Sequence, residues 1–250
     1  MKPTRRIDVK MNRIFSVFLL IFLLNCMQLS AQDPVISTEW RKEPDSTAVQ
    51  PEEETAFADL SRIRFGVNGG YGYRLFRSVI GLNVADQKYV KDLKSGIAFG
   101  GELTYFFWKK FGIGLNYDRY LSKAENENDL GEDVMIQFFG GSVTHRSVSE
   151  NGRNIILSSL LVGYQPYRNY TFVGNENVNF TANTMGWGIS AGVEHRFSRK
   201  FAMNLTGTAI MGAVYRLKRA TSINTETLHL SKDDSVDLSR VSISLGFKLF

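Results

Sequence analysis

The sequence predicts an all-β fold, an eight-stranded antiparallel transmembrane β-barrel built as an up-and-down meander. Three observations predict it. Eight segments between Arg62 and Phe250 alternate apolar and polar residues with the period of a strand. Their connections alternate short and long, as in barrels that cross an outer membrane. None of the five prolines (Pro3, Pro34, Pro44, Pro51 and Pro166) falls inside a segment, which suits strands that must donate to two neighbours. In lipid every backbone group has to pair within the protein, and a closed barrel leaves no edge.

The chain opens with an export signal. Arg13 precedes the apolar run Ile14 to Leu24, and Ser30-Ala31 before Gln32 offers small residues for cleavage, so residues 1–31 are expected to be removed. Met11 starts an alternative signal that is already complete. The run is shorter than the roughly 20 residues of a membrane-spanning helix. Cys26 is the only cysteine, and Leu23-Leu24-Asn25-Cys26 is a poor lipidation box because Asn25 stands where a small residue is needed. Cleavage after Ala31 leaves no thiol chemistry and no disulfide. The net charge of +5 is concentrated here: residues 1–31 carry five basic residues against Asp8. The remainder is nearly neutral, and no basic field is left for nucleic acid.

Residues 32–61 are acidic, proline-containing and poor in apolar residues, with Pro51-Glu52-Glu53-Glu54 the densest stretch. They are expected to form a flexible periplasmic extension preceding the barrel at 62–250.

The eight strands are expected at 62–73, 95–107, 111–122, 134–147, 154–165, 184–197, 201–215 and 237–250. The second sets Ile97, Phe99, Leu103, Tyr105 and Phe107 against Glu102 and Thr104. The sixth sets Trp187, Ile189, Ala191 and Val193 against Gly188, Ser190, Gly192, Glu194 and Arg196. The eighth sets Val241, Ile243, Leu245, Phe247 and Leu249 against Ser242, Ser244 and Lys248. The fourth and fifth alternate least cleanly. Trp108-Lys109-Lys110, Val148 to Arg153 and Ser198-Arg199-Lys200 read as short turns. Stretches 74–94, 123–133, 166–183 and 216–236 read as long loops. Short turns are periplasmic in outer-membrane barrels, which places both termini in the periplasm.

Aromatic residues then fall at two levels. Phe107, Trp108, Phe111, Phe197, Phe201 and Phe247 lie at the short-turn ends; Tyr71, Tyr73, Tyr117, Tyr164, Trp187 and Tyr215 lie at the other. Two belts are what amphipathic rings form at the interfaces of a membrane. A soluble lipocalin-like barrel does not predict two levels.

The inward phase collects charge of both signs. An interior polar network is expected from Arg64, Glu102, Asp118, Glu194, Arg196 and Lys248, because buried charges must pair. Such a network fills a lumen as narrow as eight strands allow; a narrow pore for small solutes is the competing reading. Other chemistry has little support in the residues. His145 and Ser147 share a strand face, as an esterase acting on lipid requires, but at the periplasmic end. The acidic stretch Glu125 to Asp133 lacks the spacing of a calcium loop. No catalytic, cofactor-binding or metal site is expected, and no enzymatic activity.

Gln137-Phe138-Phe139-Gly140-Gly141, Gly163-Tyr164-Gln165-Pro166-Tyr167 and Leu238-Ser239-Arg240-Val241 bring a family into view. In these stretches and in its overall pattern, the region 62–250 resembles the OmpX/OmpA-like small outer-membrane barrels, particularly the PorT-like branch. The resemblance implies a protein of the bacterial outer membrane, inserted by the barrel-assembly machinery, with Phe250 as the terminal aromatic that this machinery favours. The chain departs from the pattern at Lys248, and the apolar phase runs through Leu249. The resemblance also implies a PorT-like role in protein secretion. The reading from the residues themselves is a structural or interaction role. Its partners are the outer-membrane lipid and a surface or secretion-system protein, met through the loops or the periplasmic extension.

Overall fold

A computed structural model of the chain describes residues 60–76, 84–126, 130–149, 152–173, 176–221, 223–231 and 234–250. The signal peptide at 1–31, with Met11 and Cys26, and the extension up to residue 59 lie outside the described residues.

The described chain forms a closed antiparallel barrel of eight strands: β1 (Ile63–Arg74), β2 (Ser95–Phe106), β3 (Phe111–Glu125), β4 (Leu130–Val148), β5 (Asn154–Val173), β6 (Glu176–Arg196), β7 (Phe201–Met211) and β12 (Arg240–Leu249). Consecutive strands pair, and β12 closes the ring by pairing with both β7 and β1. One row of paired residues runs Tyr164, Phe139, Tyr117, Gly101, Val67, Phe247, Met203, His195 and Asn154. It returns to β5 ten residues from its start. With eight strands, that stagger corresponds to a tilt of about 40°.

Burial alternates along the strands. On β12, Val241, Ile243, Leu245, Phe247 and Leu249 face outward and are exposed, while Arg240, Ser242, Ser244 and Lys248 are buried. The same holds for Ile97, Phe99 and Leu103 against Ala98 and Thr104 on β2. Outward apolar residues form a continuous band. From Trp187 on β6 to Phe197 just past its end, the chain spans about 25 Å along the barrel axis at this tilt, the height of a lipid-facing band.

Three tight connections lie at one end. Trp108 and Phe197 donate their N–H groups to Phe111 and Phe201. Gly152, at φ 66°, takes the left-handed conformation that the third turn requires. At this end the rings of Phe107, Trp108, Phe111 and His145 follow one another at 4.8, 6.4 and 4.9 Å. Phe197, Phe201 and Phe247 continue the girdle at 6.2 and 5.5 Å.

The opposite end differs from the expectation. β4, β5 and β6 run to 19, 20 and 21 residues, so most of 123–133 and 166–183 is strand and not loop. Their distal halves keep the alternation but reverse its sense. Val134, Ile136 and Tyr167 point inward and are buried, while Asp133, Arg168 and Tyr170 point outward. A strand that leaves lipid for water puts its polar residues outside, so the apolar face no longer marks the outer surface. Pro166 accordingly lies within β5. The β4–β5 pairing is interrupted there, passing from Ile136–Tyr167 to Phe139–Tyr164, because proline has no N–H to donate. The stretch 74–94 contains a helix, α1 (Val84–Lys94). Among the described residues no helix is long and apolar enough to cross a membrane.

The strand expected at 201–215 ends at Met211. After Gly212 come β8 (Ala213–Val214), β9 (Arg216–Ala220), β10 (Thr225–His229) and β11 (Val236–Asp237). β8 pairs with β11, β9 and β10 form a hairpin, and β9 rejoins β6. From Trp187–Met211 to Thr181–Lys218, β6 advances six residues and its partner seven. The extra residue is a bulge, which shifts the phase so that Leu217 is buried and Arg216 and Lys218 face outward. β12 begins at Arg240 rather than at 237, because 236–237 is committed to β8.

Candidate functional site

The functionally informative region is the barrel interior, which is filled in two layers. In the layer toward the short turns, charges meet between strands that are not neighbours. Arg64 of β1 donates to Glu194 of β6, and Lys248 of β12 donates to Glu102 of β2; Arg64, Glu194 and Lys248 are all buried. Nearer the middle, Arg240 of β12 donates to Asp118 of β3 at 2.5 and 3.2 Å. None of these pairs joins neighbouring strands; Arg64–Glu194 and Arg240–Asp118 tie one wall of the barrel to another, while Lys248 reaches Glu102 along the wall, over Gly66 of β1. Serine, threonine and asparagine side chains continue the layer. Asn116 donates to Ser142 at 2.7 Å, Asn204 donates to Thr206 at 2.7 Å, and Thr144 and Ser159 share a hydrogen bond at 2.9 Å.

Cations beyond these pairs rest on aromatic faces. The Arg146 guanidinium lies 3.9 Å from the centroid of Phe106 and donates to the Lys109 carbonyl at 2.6 Å. Arg196 lies 5.5 Å and Arg64 5.0 Å from the centroid of Phe250. The ring of Phe250 therefore turns to the barrel mouth, while Leu249 is exposed on the outer surface. A guanidinium over a ring keeps its charge while much of its water is lost.

Of the six residues expected in the network, Arg64 meets Glu194 and Glu102 meets Lys248. Asp118 meets Arg240, which the sequence reading does not single out, and Arg196 faces Phe250. Arg74, Arg146 and Arg240 are the buried cations that the reading misses. The signal is present in the alternation, since each falls on the inward phase of its strand. His145 points outward with its ring against Phe111, away from the lumen.

The second layer is largely apolar, with Arg74, Gln165 and Asn169 buried beside the apolar cluster. Tyr120, Ala124, Val134, Ile136, Tyr167, Val214, Leu217 and Leu238 form one buried cluster with Leu93 of α1. Tyr120 is at its centre. A Cβ on Gly72 or Gly96 would come within 2.7 Å of its ring, so these two glycines make the space it fills. Its hydroxyl donates to the Lys94 carbonyl at 2.7 Å, which ties the end of α1 to the barrel wall. The helix is also held at Tyr89, whose hydroxyl donates to Glu132 Oε1 at 2.6 Å, while Asn169 donates to Glu132 Oε2 at 2.7 Å. Burial, followed by the hydrogen bond and charge of Glu132, pushes the Tyr89 phenol above its ordinary range.

The acidic stretch 125–133 does not converge. Glu125 meets Lys123 at 2.8 Å, Glu132 faces inward to Tyr89, and Asp133 faces outward; residues 127–129 lie outside the described residues. Among the described residues no cluster of three His, Cys, Asp or Glu side chains is placed to hold a metal ion.

The aromatic residues expected in two belts stand at the ends of the outward apolar band. Phe107, Trp108, Phe111, Phe197 and Phe201 are at one end, and Tyr117, Tyr164, Trp187 and Tyr215 at the other. Tyr117 packs on Phe139 at 4.7 Å.

No family model and no curated protein matches the chain. Among solved structures it is similar to a major outer membrane protein from Thermus thermophilus, with a TM-score of 0.51 and 9% identity. That match covers 75% of this chain and 98% of the other. The fold is therefore that of an outer-membrane β-barrel. Neisserial surface protein A matches with a TM-score of 0.47 and 12% identity over 76% of this chain and 97% of the other. Ail, the attachment invasion locus protein of Yersinia pestis, matches with a TM-score of 0.44 and 12% identity over 76% of this chain and all of the other.

Proposed function

We propose that the protein is an integral barrel of the bacterial outer membrane, with its short turns and both termini in the periplasm. Its lumen is sealed, and it acts without catalysis as a rigid platform that presents its long-connection end to a partner. The observation that carries this reading is the filled interior. Buried ion pairs, two of them across the lumen, occupy one half, and an apolar cluster capped by α1 occupies the other. The expected loops are largely strand and helix, and an ordered surface loses less entropy on binding than loose loops do.

Two measurements test it. Planar-bilayer recordings of the refolded chain should show no steady conductance, with or without Glu102→Ala; open channels in the unaltered protein would overturn the sealed lumen. An impermeant maleimide added to whole cells should label Ile223→Cys, which sits 95% exposed beside the β9–β10 hairpin, and should leave Ser198→Cys unlabelled. The opposite labelling would reverse the orientation.

One observation favours a second reading, a PorT-like component of a secretion apparatus. The short-turn rim carries Arg62, Lys109, Lys110, Arg153, Arg199 and Lys200 against one acid in those turns, Glu150. That rim suits an acidic periplasmic partner. Deleting 33–58 should then impair export while the barrel still folds.

A further inference from the structure

The outward face just beyond the distal aromatic belt carries cations in register across three strands. Arg168 of β5 pairs with Thr181 of β6, and Thr181 pairs with Lys218 of β9. Neighbouring strands are about 4.8 Å apart, so Arg168 and Lys218 flank Thr181 about 10 Å from one another. Arg216 lies on the same face of β9, two residues along, opposite His229. All three cations are exposed, while the intervening Tyr167, Asn169 and Leu217 are buried. None of the three makes a side-chain hydrogen bond or ion pair with a described residue. Among the described strand residues, the acid that the register places on this face is Asp133, one row further on and opposite Lys123. Among the described residues these cations have no acidic partner, unlike Arg219, which meets Glu226 on the other face of the same hairpin at 3.2 Å.

Position decides what this row meets. Arg168 stands four residues beyond Tyr164, about 10 Å along the axis. The apolar band ends at that tyrosine and lipid headgroups occupy the next roughly 5–8 Å, within reach of a long cationic side chain that extends back toward them. The bulge after Met211 brings Arg216 and Lys218 to the outer surface; without the extra residue Leu217 would face outward in their place. Guanidinium and ammonium groups in that zone are suited to phosphate oxygens; Thr181 between Arg168 and Lys218, Asn183 two residues from it, and Thr227 on the far side of Lys218 add donors.

We propose that Arg168, Arg216 and Lys218 form a binding surface for the phosphorylated headgroup of a lipid in the leaflet at the long-connection end. The proposal rests on the membrane reading above. A cation near an anionic membrane surface strengthens binding about fivefold, so three give on the order of a hundredfold.

The test uses the full chain refolded into phosphatidylcholine vesicles containing bisphosphorylated lipid A, with retained lipid counted by native mass spectrometry and affinity by titration. The triple variant Arg168→Gln, Arg216→Gln, Lys218→Gln should bind about a hundredfold more weakly. A control that removes the same charge elsewhere (Arg62→Gln, Lys88→Gln, Lys91→Gln) should bind like the unaltered chain, and fully dephosphorylated lipid A should bind like the triple variant. Equal binding by the triple variant overturns the proposal, as does displacement of the lipid by inorganic phosphate at equal phosphate concentration. Gel mobility with and without boiling, run on each sample, separates the two levels. A retained shift with unchanged lipid binding defeats only this proposal, whereas an unaltered chain without a shift defeats the membrane reading and this proposal together.

Discussion

Arg64 and Glu194 form an ion pair across the lumen from β1 and β6, two strands that share no backbone hydrogen bond. Both side chains are almost wholly buried, at 2% and 0% exposure. A buried pair of this kind gains little over an apolar pair, yet loses much when one partner goes. Glu194→Ala should therefore destabilise the barrel by about 3–5 kcal/mol. The double variant Arg64→Met, Glu194→Leu should lose far less. Urea unfolding followed by tryptophan fluorescence checks both.

The contact between Tyr120 and α1 divides into two parts that separate variants distinguish. Tyr120→Phe removes the hydrogen bond to the Lys94 carbonyl and should cost about 1 kcal/mol. Tyr120→Ala also opens a cavity in the apolar layer and should cost about 3–5 kcal/mol. Equal losses in the two variants, by the same unfolding measurement, would mean that the ring packs against nothing.

Tyr89 gives a pH dependence whose direction is set by its raised pKa. An unfolded tyrosine loses its proton near pH 10, while the folded one keeps it. The stability that Tyr89 contributes is thus fully present below pH 10 and is lost as pH rises beyond it toward the folded value. Absorbance at about 295 nm should show tyrosine ionisation extending well above pH 10, and Tyr89→Phe should reduce that late amplitude by one tyrosine. All tyrosines titrating together near pH 10 would contradict the hydrogen bond to Glu132.

Phe250 offers a division between folding and assembly. Its ring faces Arg64 and Arg196, so Phe250→Ala should lower the stability of refolded protein by about 1 kcal/mol. If the residue also serves as an assembly signal, the amount inserted in cells should fall much further than that loss explains. Pulse labelling of the membrane fraction beside refolding yield measures the two.

The fold was legible where the chain crosses the apolar band, because one rule holds there. Phe99 and Leu103 go out while Glu102 goes in, and Leu245 and Phe247 go out while Lys248 goes in. It was illegible beyond Tyr164 and Phe139 because the environment changes and the rule inverts. Tyr167 and Ile136 turn inward beside outward Arg168 and Gln137, and a reader seeking an apolar outer face finds only a loop. Pro166 reinforced that impression, although the strand tolerates it by skipping its pairing with β4. The bulge after Met211 hid β9 in the same way, by changing the phase within a few residues. In the interior, the inward phase identified which residues were buried but not which would meet. The ten-residue stagger decides that Asp118 faces Arg240, and a stagger of this kind is a property of the closed ring rather than of any one strand.

The measurement that bears most directly on the central claim is fractionation of the producing cell, followed by gel mobility of the outer-membrane fraction with and without boiling. A closed barrel with Trp187, Leu205, Leu245 and Phe247 in lipid predicts a protein in that fraction whose unboiled form migrates apart from its boiled form. A soluble protein of unchanging mobility would contradict the account, and the outward apolar band would then belong to an interface between proteins.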